Sequence, residues 1–266
     1  MVNFKKIFSS KKSLTNYSLN YDFESIKIPS KKPSCIAVFT GGNAPKPKMC
    51  SKFLADFIPP DYVIGADSGI ETLGVFRKYF RKMDFTPDAI LGDMDSLKNK
   101  KLLKEFSKKA TLEKFNPYKD FTDTELALIL ASKLRGPDST VILTGGSGAR
   151  VDHFMGIFDL FSSHIAPDFW LTESQVLILL RQDKTIKLLP EHADSPISIL
   201  RTTESNTKGY LITKGLEWEC DKFRKAGLPS ISNVISQKNF KSKIPVEITA
   251  KDGDFIVACD YDCVIV

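Results

Sequence analysis

The stretch Thr140-Val-Ile-Leu-Thr-Gly-Gly-Ser-Gly-Ala-Arg-Val-Asp-His153 reads as a short buried strand, a glycine loop and the first turn of a helix. Outward from it, the same alternation recurs. Apolar runs at 35–40, 62–66, 88–91, 111–115, 140–144 and 168–171 predict strands, and helical patterns fall at about 47–57, 69–80, 98–108, 123–134 and 151–163. Continuous apolar strands separated by helices imply parallel pairing buried on both faces. Ser68-x-x-Glu71 and Thr122-x-x-Glu125 have the spacing of helix-capping boxes. Residues 34–173 are therefore expected to form an α/β domain with a doubly wound, mostly parallel sheet. From 174 the texture changes to short strand-like runs at 175–181, 185–189, 197–203, 210–213, 217–220, 245–249, 255–259 and 262–266. Turn signals between them predict a C-terminal antiparallel β-sandwich domain over 174–266.

The composition, 42% apolar and 26% charged over 266 residues, excludes collagen, coiled coil and wholesale disorder. The net charge of +6 is concentrated: residues 1–33 hold seven lysines against two acids, which leaves +1 for the rest. This basic N-terminal extension reads as an extended arm, and its removal (residues 1–30) is expected to leave activity largely intact. A nearly neutral remainder with an acidic rim argues against a nucleic-acid partner. Five cysteines without a CxxC pair fit a reducing, cytoplasmic setting rather than a disulfide framework or zinc site. The three histidines are too scattered for a histidine-metal site, and no apolar run approaches a membrane span.

In an open α/β sheet, ligands bind beyond the carboxyl ends of the strands. The sequence places six aspartates there: Asp67, Asp93, Asp95, Asp120, Asp123 and Asp152. Clustered carboxylates call for a cation, and without Cys or His ligands the expected ion is Mg²⁺. Asp93 and Asp95, flanking Met94, would point the same way if that stretch is extended. Gly41-Gly42 and Gly145-Gly146-Ser147-Gly148 offer backbone N–H groups to phosphate, with Arg150 as a forked cationic donor. No Walker A loop or full dinucleotide fingerprint is present, so a nucleoside triphosphate with Mg²⁺ fits better than NAD. His153, in a positively polarised helix start, suits a neutral hydrogen-bonding role.

These motifs resemble the thiamine pyrophosphokinase family. The resemblance lies in Ala66-Asp67-Ser68-Gly69, Gly92-Asp93-Met94-Asp95-Ser96, Asp120-Phe121-Thr122-Asp123-x-Glu125, Gly145-Gly146-x-x-x-Arg150-Val151-Asp152-His153, Gly215-Leu216-Glu217-Trp218 and Ser230-Ile231-Ser232-Asn233. It implies a homodimer that converts ATP and thiamine to AMP and thiamine diphosphate. It implies Mg²⁺ and ATP phosphates on Asp93, Asp95 and Asp123, with Asp67, Asp120, Arg150 and Asp152 around the substrates. It implies thiamine bound between the α/β domain of one subunit and the β domain of the other, with Ser230, Ser232 and Asn233 contributing and Trp218 a candidate wall. Ser68, Gly156-Ile157 and Gln175 depart from common family residues, whereas the acidic core is intact.

The expected chemistry is in-line attack of the thiamine hydroxyl on the β-phosphorus of ATP, with Asp120 or Asp152 orienting or deprotonating the hydroxyl. The rival readings are the same transfer to another acceptor such as a hydroxymethylpterin, a basic nucleic-acid module built on the N-terminal segment, and a non-catalytic nucleotide sensor.

Overall fold

The computed structural model describes residues 20–148, 150–202, 208–221 and 229–266. The described residues form two compact units, one of 20–48 and 57–173 and the other of 49–56 and 174–266. Residues 49–56, expected within the α/β domain, group instead with the C-terminal unit.

In the first unit six strands run parallel: β1 (Cys35–Phe39), β2 (Tyr62–Ala66), β3 (Ala89–Gly92), β4 (Thr111–Lys114), β5 (Thr140–Thr144) and β6 (Phe169–Leu171). Their order is β6-β5-β1-β2-β3-β4. Val38 of β1 is in register with Ile64 of β2 on one side and Leu143 of β5 on the other. The chain thus steps outward from β1 to β4, then returns to the far side of β1. The reversal between β1 and β5 is a topological switch point, where open α/β sheets leave a crevice for ligands.

Five helices begin in the order α1 (Pro47–Leu54), α2 (Gly69–Tyr79), α3 (Lys100–Phe106), α4 (Asp123–Leu134) and α5 (Val151–Leu160). Helices α2 and α4 pack on β1 and β2. Leu126 through Ala131 of α4 are all buried, which makes this helix the apolar centre of its layer. The Thr122–Glu125 capping box forms, with both reciprocal bonds present. The Ser68–Glu71 box does not. Ser68 is helical at its own φ and ψ, and the Glu71 carboxylate accepts from Lys98 N (2.9 Å) and Asn99 N (2.7 Å), ahead of α3.

Residues 20–33 contain no helix or strand, yet they are tied down. The buried Glu113 carboxylate of β4 accepts from Glu24 N (2.8 Å) and Ser25 N (3.0 Å), and Tyr21 stands edge-on to Phe115 at 5.4 Å. Removing residues 1–30 would strip a buried carboxylate of these donors, so the expectation of a dispensable arm does not extend to this part. Glu113→Ala is expected to cost about 1–3 kcal/mol by leaving two N–H groups unpaired. Equilibrium urea unfolding checks it; an unchanged midpoint would show that water replaces the carboxylate.

In the second unit β7 (Gln175–Leu180), β8 (Thr185–Leu189), β9 (Ile197–Arg201), β10 (Tyr210–Lys214), β11 (Ser230–Asn233), β12 (Val246–Lys251), β13 (Phe255–Asp260) and β14 (Val264–Ile265) pair antiparallel. One sheet runs β11-β9-β13-β7 and the other β10-β12-β8-β14. Segment 217–220, expected as a strand, is a loop. The Glu219 carboxylate accepts from Gly215 N (2.6 Å) and Thr213 Oγ1 (2.5 Å), folding the chain back on the end of β10. The five-residue helix α6 (Gln237–Lys241), capped by Ser236, was not anticipated because it is too short to show a period.

Candidate active site

Three turns at the carboxyl ends of the first unit's strands bring their aspartates together. After β2 the chain turns at Asp67 with φ 45°, and the Asp67 N–H donates to Leu91 O at 2.7 Å, locking this turn to β3. Gly92, at φ 141°, faces it; a Cβ there would lie 3.2 Å from Asp67 N, so glycine permits the close approach. Asp67 is 9% exposed. Ser96 Oγ donates to its Oδ2, while its Oδ1 is buried with no hydrogen-bond partner among the described residues.

After β3, Met94 adopts φ 64°, and Asp93 Oδ1 accepts from Asp95 N at 3.1 Å. The stretch is a turn rather than extended, so the premise that Asp93 and Asp95 share a face fails. Asp95 is exposed, and the neighbouring Asp93 charge, with their hydrogen bond, holds its carboxyl above the ordinary carboxylate range. The third member comes from the α4 start, pinned to the end of β1 by Thr40 Oγ1 and Thr124 Oγ1 at 2.6 Å. Carboxylate oxygens of Asp67, Asp93 and Asp123 all lie within 4.8 Å of one another. The trio is therefore Asp67, Asp93 and Asp123; Asp95 lies outside it. Burial raises the Asp123 carboxyl above the usual range, and Lys119 opposes that shift.

Lys119 was missed as a site residue. Its Nζ is 3.0 Å from Asp123 Oδ1 and 3.8 Å from Asp93 Oδ2; the closer contact is an ion pair outside hydrogen-bond geometry. The four-residue spacing from Lys119 to Asp123 was the available signal. Three carboxylates, one bearing a buried orphan oxygen, against one ammonium fit a small oxygen-seeking divalent cation.

The glycine loops meet at the switch point. Gly146 N donates to Gly41 O (2.7 Å), Asn43 N to Ser147 O (2.5 Å) and Gly145 N to Leu171 O (3.1 Å). Gly145 and Gly146 were expected to offer these N–H groups to phosphate. Both groups are already committed, and the two glycines serve by letting the loops touch at φ 101° and 78°. Gly42 is left-handed at φ 87°, and Gly148 at φ 75°. Trp170 is fully buried under this loop, its Nε1 donating to Gly145 O at 2.6 Å and its ring 5.0 Å from Phe154.

Arg150 and Asp152 are exposed and paired with each other. The Arg150 hydrogen bond holds the Asp152 carboxyl down at about 2. Asp120 is exposed on the loop that carries Lys119, and His153 is exposed in the first turn of α5.

In the second unit Asn233 is fully buried. It donates to Trp218 O (2.7 Å) and Ser230 Oγ (2.8 Å) and accepts from Trp218 N (3.2 Å) and Val234 N (2.9 Å). Its amide is used in holding the Trp218 loop. Trp218 is 58% exposed, Ser230 is buried, and Ser232 is exposed at φ 53°.

A profile of the thiamin pyrophosphokinase catalytic domain matches residues 59–168, which include Asp67, Asp93, Lys119, Asp123 and Arg150. Thiamine pyrophosphokinase 1 of Oryza sativa subsp. japonica is 27% identical over 192 residues, 66% of each chain. Among solved structures, thiamin pyrophosphokinase from Candida albicans superposes with a TM-score of 0.64 at 14% identity, covering 85% of this chain and 89% of that one. The Bacillus subtilis enzyme gives 0.61 at 18% identity, covering 85% and 98%. These structural likenesses establish a shared fold. The matched profile and the rice relative, over a stretch that holds the acidic trio, make the chain similar to thiamine pyrophosphokinases.

Proposed function

We propose that the protein transfers the pyrophosphoryl group of ATP to the hydroxyl of thiamine, giving thiamine diphosphate and AMP, with Mg²⁺ as cofactor. The observation that carries this reading is the convergence of Asp67, Asp93 and Asp123 at the carboxyl ends of the parallel strands. A divalent cation on these three residues would neutralise phosphate charge and polarise the phosphoryl oxygens. The chain's own contribution is positioning and electrostatics. Thr40 and Thr124 fix Asp123 relative to β1, and Gly92 lets the Asp67 turn close. Arg150, exposed just after the glycine loop, is the forked donor for phosphate oxygens. With Asp152 bound to Arg150, Asp120 is the carboxylate left to orient the hydroxyl, and His153 supplies a further hydrogen bond. Gly41, Gly42 and Gly148 shape the phosphate-side wall.

Thiamine contact is assigned to Trp218, whose exposed ring suits a heteroaromatic face, and to Ser232, with Ser230 and Asn233 framing the loop. A homodimer and a cytoplasmic location belong to the same proposal. Five buried, unbridged thiols support the location. Among the described residues no helix is long and apolar enough to cross a membrane.

The test is incubation of the protein with ATP, Mg²⁺ and thiamine, following AMP and thiamine diphosphate. Thiamine-dependent AMP release is expected. Release of ADP alone would indicate a monophosphoryl kinase, and folded protein without AMP release would overturn the proposal. Light scattering in solution checks the dimer.

A further inference from the structure

The cation nearest the acidic trio belongs to the protein. Lys119 Nζ reaches Asp123 at 3.0 Å and Asp93 at 3.8 Å, and the three side chains are only 15%, 20% and 12% exposed. The ammonium also lies over the Phe115 ring, 5.8 Å from its centroid, and that ring is in turn held edge-on by Tyr21. The placement is therefore supported from two sides: carboxylates draw the charge in, and a braced aromatic face lies against the ammonium. One ammonium cannot neutralise three carboxylates, and it leaves Asp67 Oδ1 buried without a partner among the described residues.

We propose that Lys119 is a tethered counter-cation of the acidic trio, holding Asp93 and Asp123 in place before a divalent cation arrives and yielding its position when one binds. This rests on the functional reading above only in taking the trio as the metal site. Two cations competing for the same carboxylate oxygens at this separation repel each other strongly where water is partly excluded. Metal entry must therefore move the ammonium away, and the nearest new source of negative charge is the polyphosphate that accompanies the metal. Lys119 so couples metal entry to nucleotide entry: metal alone meets a competitor, whereas metal with a polyphosphate gives that competitor somewhere to go.

The experiment titrates Mn²⁺ alone, read by electron paramagnetic resonance of the free ion, into metal-stripped wild-type protein and into Lys119→Met, Lys119→Gln and Lys119→Arg. Methionine keeps an apolar stem over Phe115, glutamine is a second neutral variant should methionine misfold, and arginine keeps the charge. Both neutral variants are expected to bind Mn²⁺ on the order of 10-fold more tightly than wild type, with Lys119→Arg close to wild type. Their metal-free melting temperatures are expected to fall, and Mn²⁺ is expected to restore more of the loss than it adds to wild type. Adding Asp93→Asn to Lys119→Met should abolish the gain, which ties it to this trio. Unchanged or weaker Mn²⁺ binding in both neutral variants overturns the proposal; if wild type still binds Mn²⁺ and releases AMP, the functional reading stands without it. Failure of every protein to bind Mn²⁺ at millimolar concentration overturns both the metal site and the inference.

Discussion

Asp93→Asn is expected to lower turnover at least ~100-fold, through lost metal-assisted stabilisation of charge on the transferring group. The substitution is nearly isosteric. Asparagine Oδ1 can still accept from Asp95 N, the bond that shapes the turn in the parent at 3.1 Å, so the local backbone is retained. What disappears is one of three charges confined within 4.8 Å. An amide oxygen is a poorer ligand for a hard cation than a carboxylate, and the trio loses a third of its formal charge. The measurement is kcat at saturating ATP, thiamine and Mg²⁺, with a thermal melt to show that the variant folds. A kcat within a few-fold of the parent would remove Asp93 from the chemistry. The exposed Asp95, which lies outside the trio, is expected to matter less.

The second large effect concerns stability. Arg135→Met should destabilise the protein by roughly 3–5 kcal/mol, because it leaves a buried carboxylate without its counter-charge. Asp168 has a side chain only 2% exposed and is bound to Arg135 Nη2. The same carboxylate accepts from Val141 N at 2.8 Å, and Arg135 Nη1 donates to Ala166 O at 3.3 Å. The pair thus fastens the C-terminal end of α4 to the starts of β5 and β6. A backbone N–H alone cannot compensate an ionised group withdrawn from water. Denaturant unfolding gives the loss directly, and Asp168→Asn in the Arg135→Met background should recover part of it. A loss under about 1 kcal/mol would mean that water reaches Asp168 once the guanidinium is gone.

Comparison of the two aspartate sets shows what was legible from residues alone. Asp61, Asp88 and Asp168 lie at the amino ends of strands and accept strand-starting N–H groups: Asp61 from Ser34 and Cys35, Asp88 from Val63, Asp168 from Val141. Asp67, Asp93 and Asp123 lie at the opposite ends and face one another. Strand polarity, readable from the alternation of apolar runs and helices, separates the sets, and for that reason the acidic rim could be located. Its internal arrangement was not readable. The grouping of Asp67 rather than Asp95 with Asp93 depends on a left-handed Met94, and periodicity carries no sign of φ at a single residue. The docking of Glu24 and Ser25 on Glu113 is a long-range contact, which local pattern does not encode. The strand order likewise depends on pairing between distant segments. Conversely, all six parallel strands and the helices expected between them fall within a few residues of their expected bounds, because burial on both faces leaves an uninterrupted apolar run.

The contrast between Trp170 and Trp218 has a practical consequence. They are the chain's two tryptophans, one fully buried beneath the glycine loop and the other 58% exposed beside Ser230–Asn233. Their emission should separate, with a blue component from the indole tethered to Gly145 and a red component from the solvated one. Iodide in the buffer would silence the second and spare the first. The unmodified protein therefore carries two optical channels, one on the proposed nucleotide side and one on the proposed acceptor side. Occupancy of each could be followed without an attached dye.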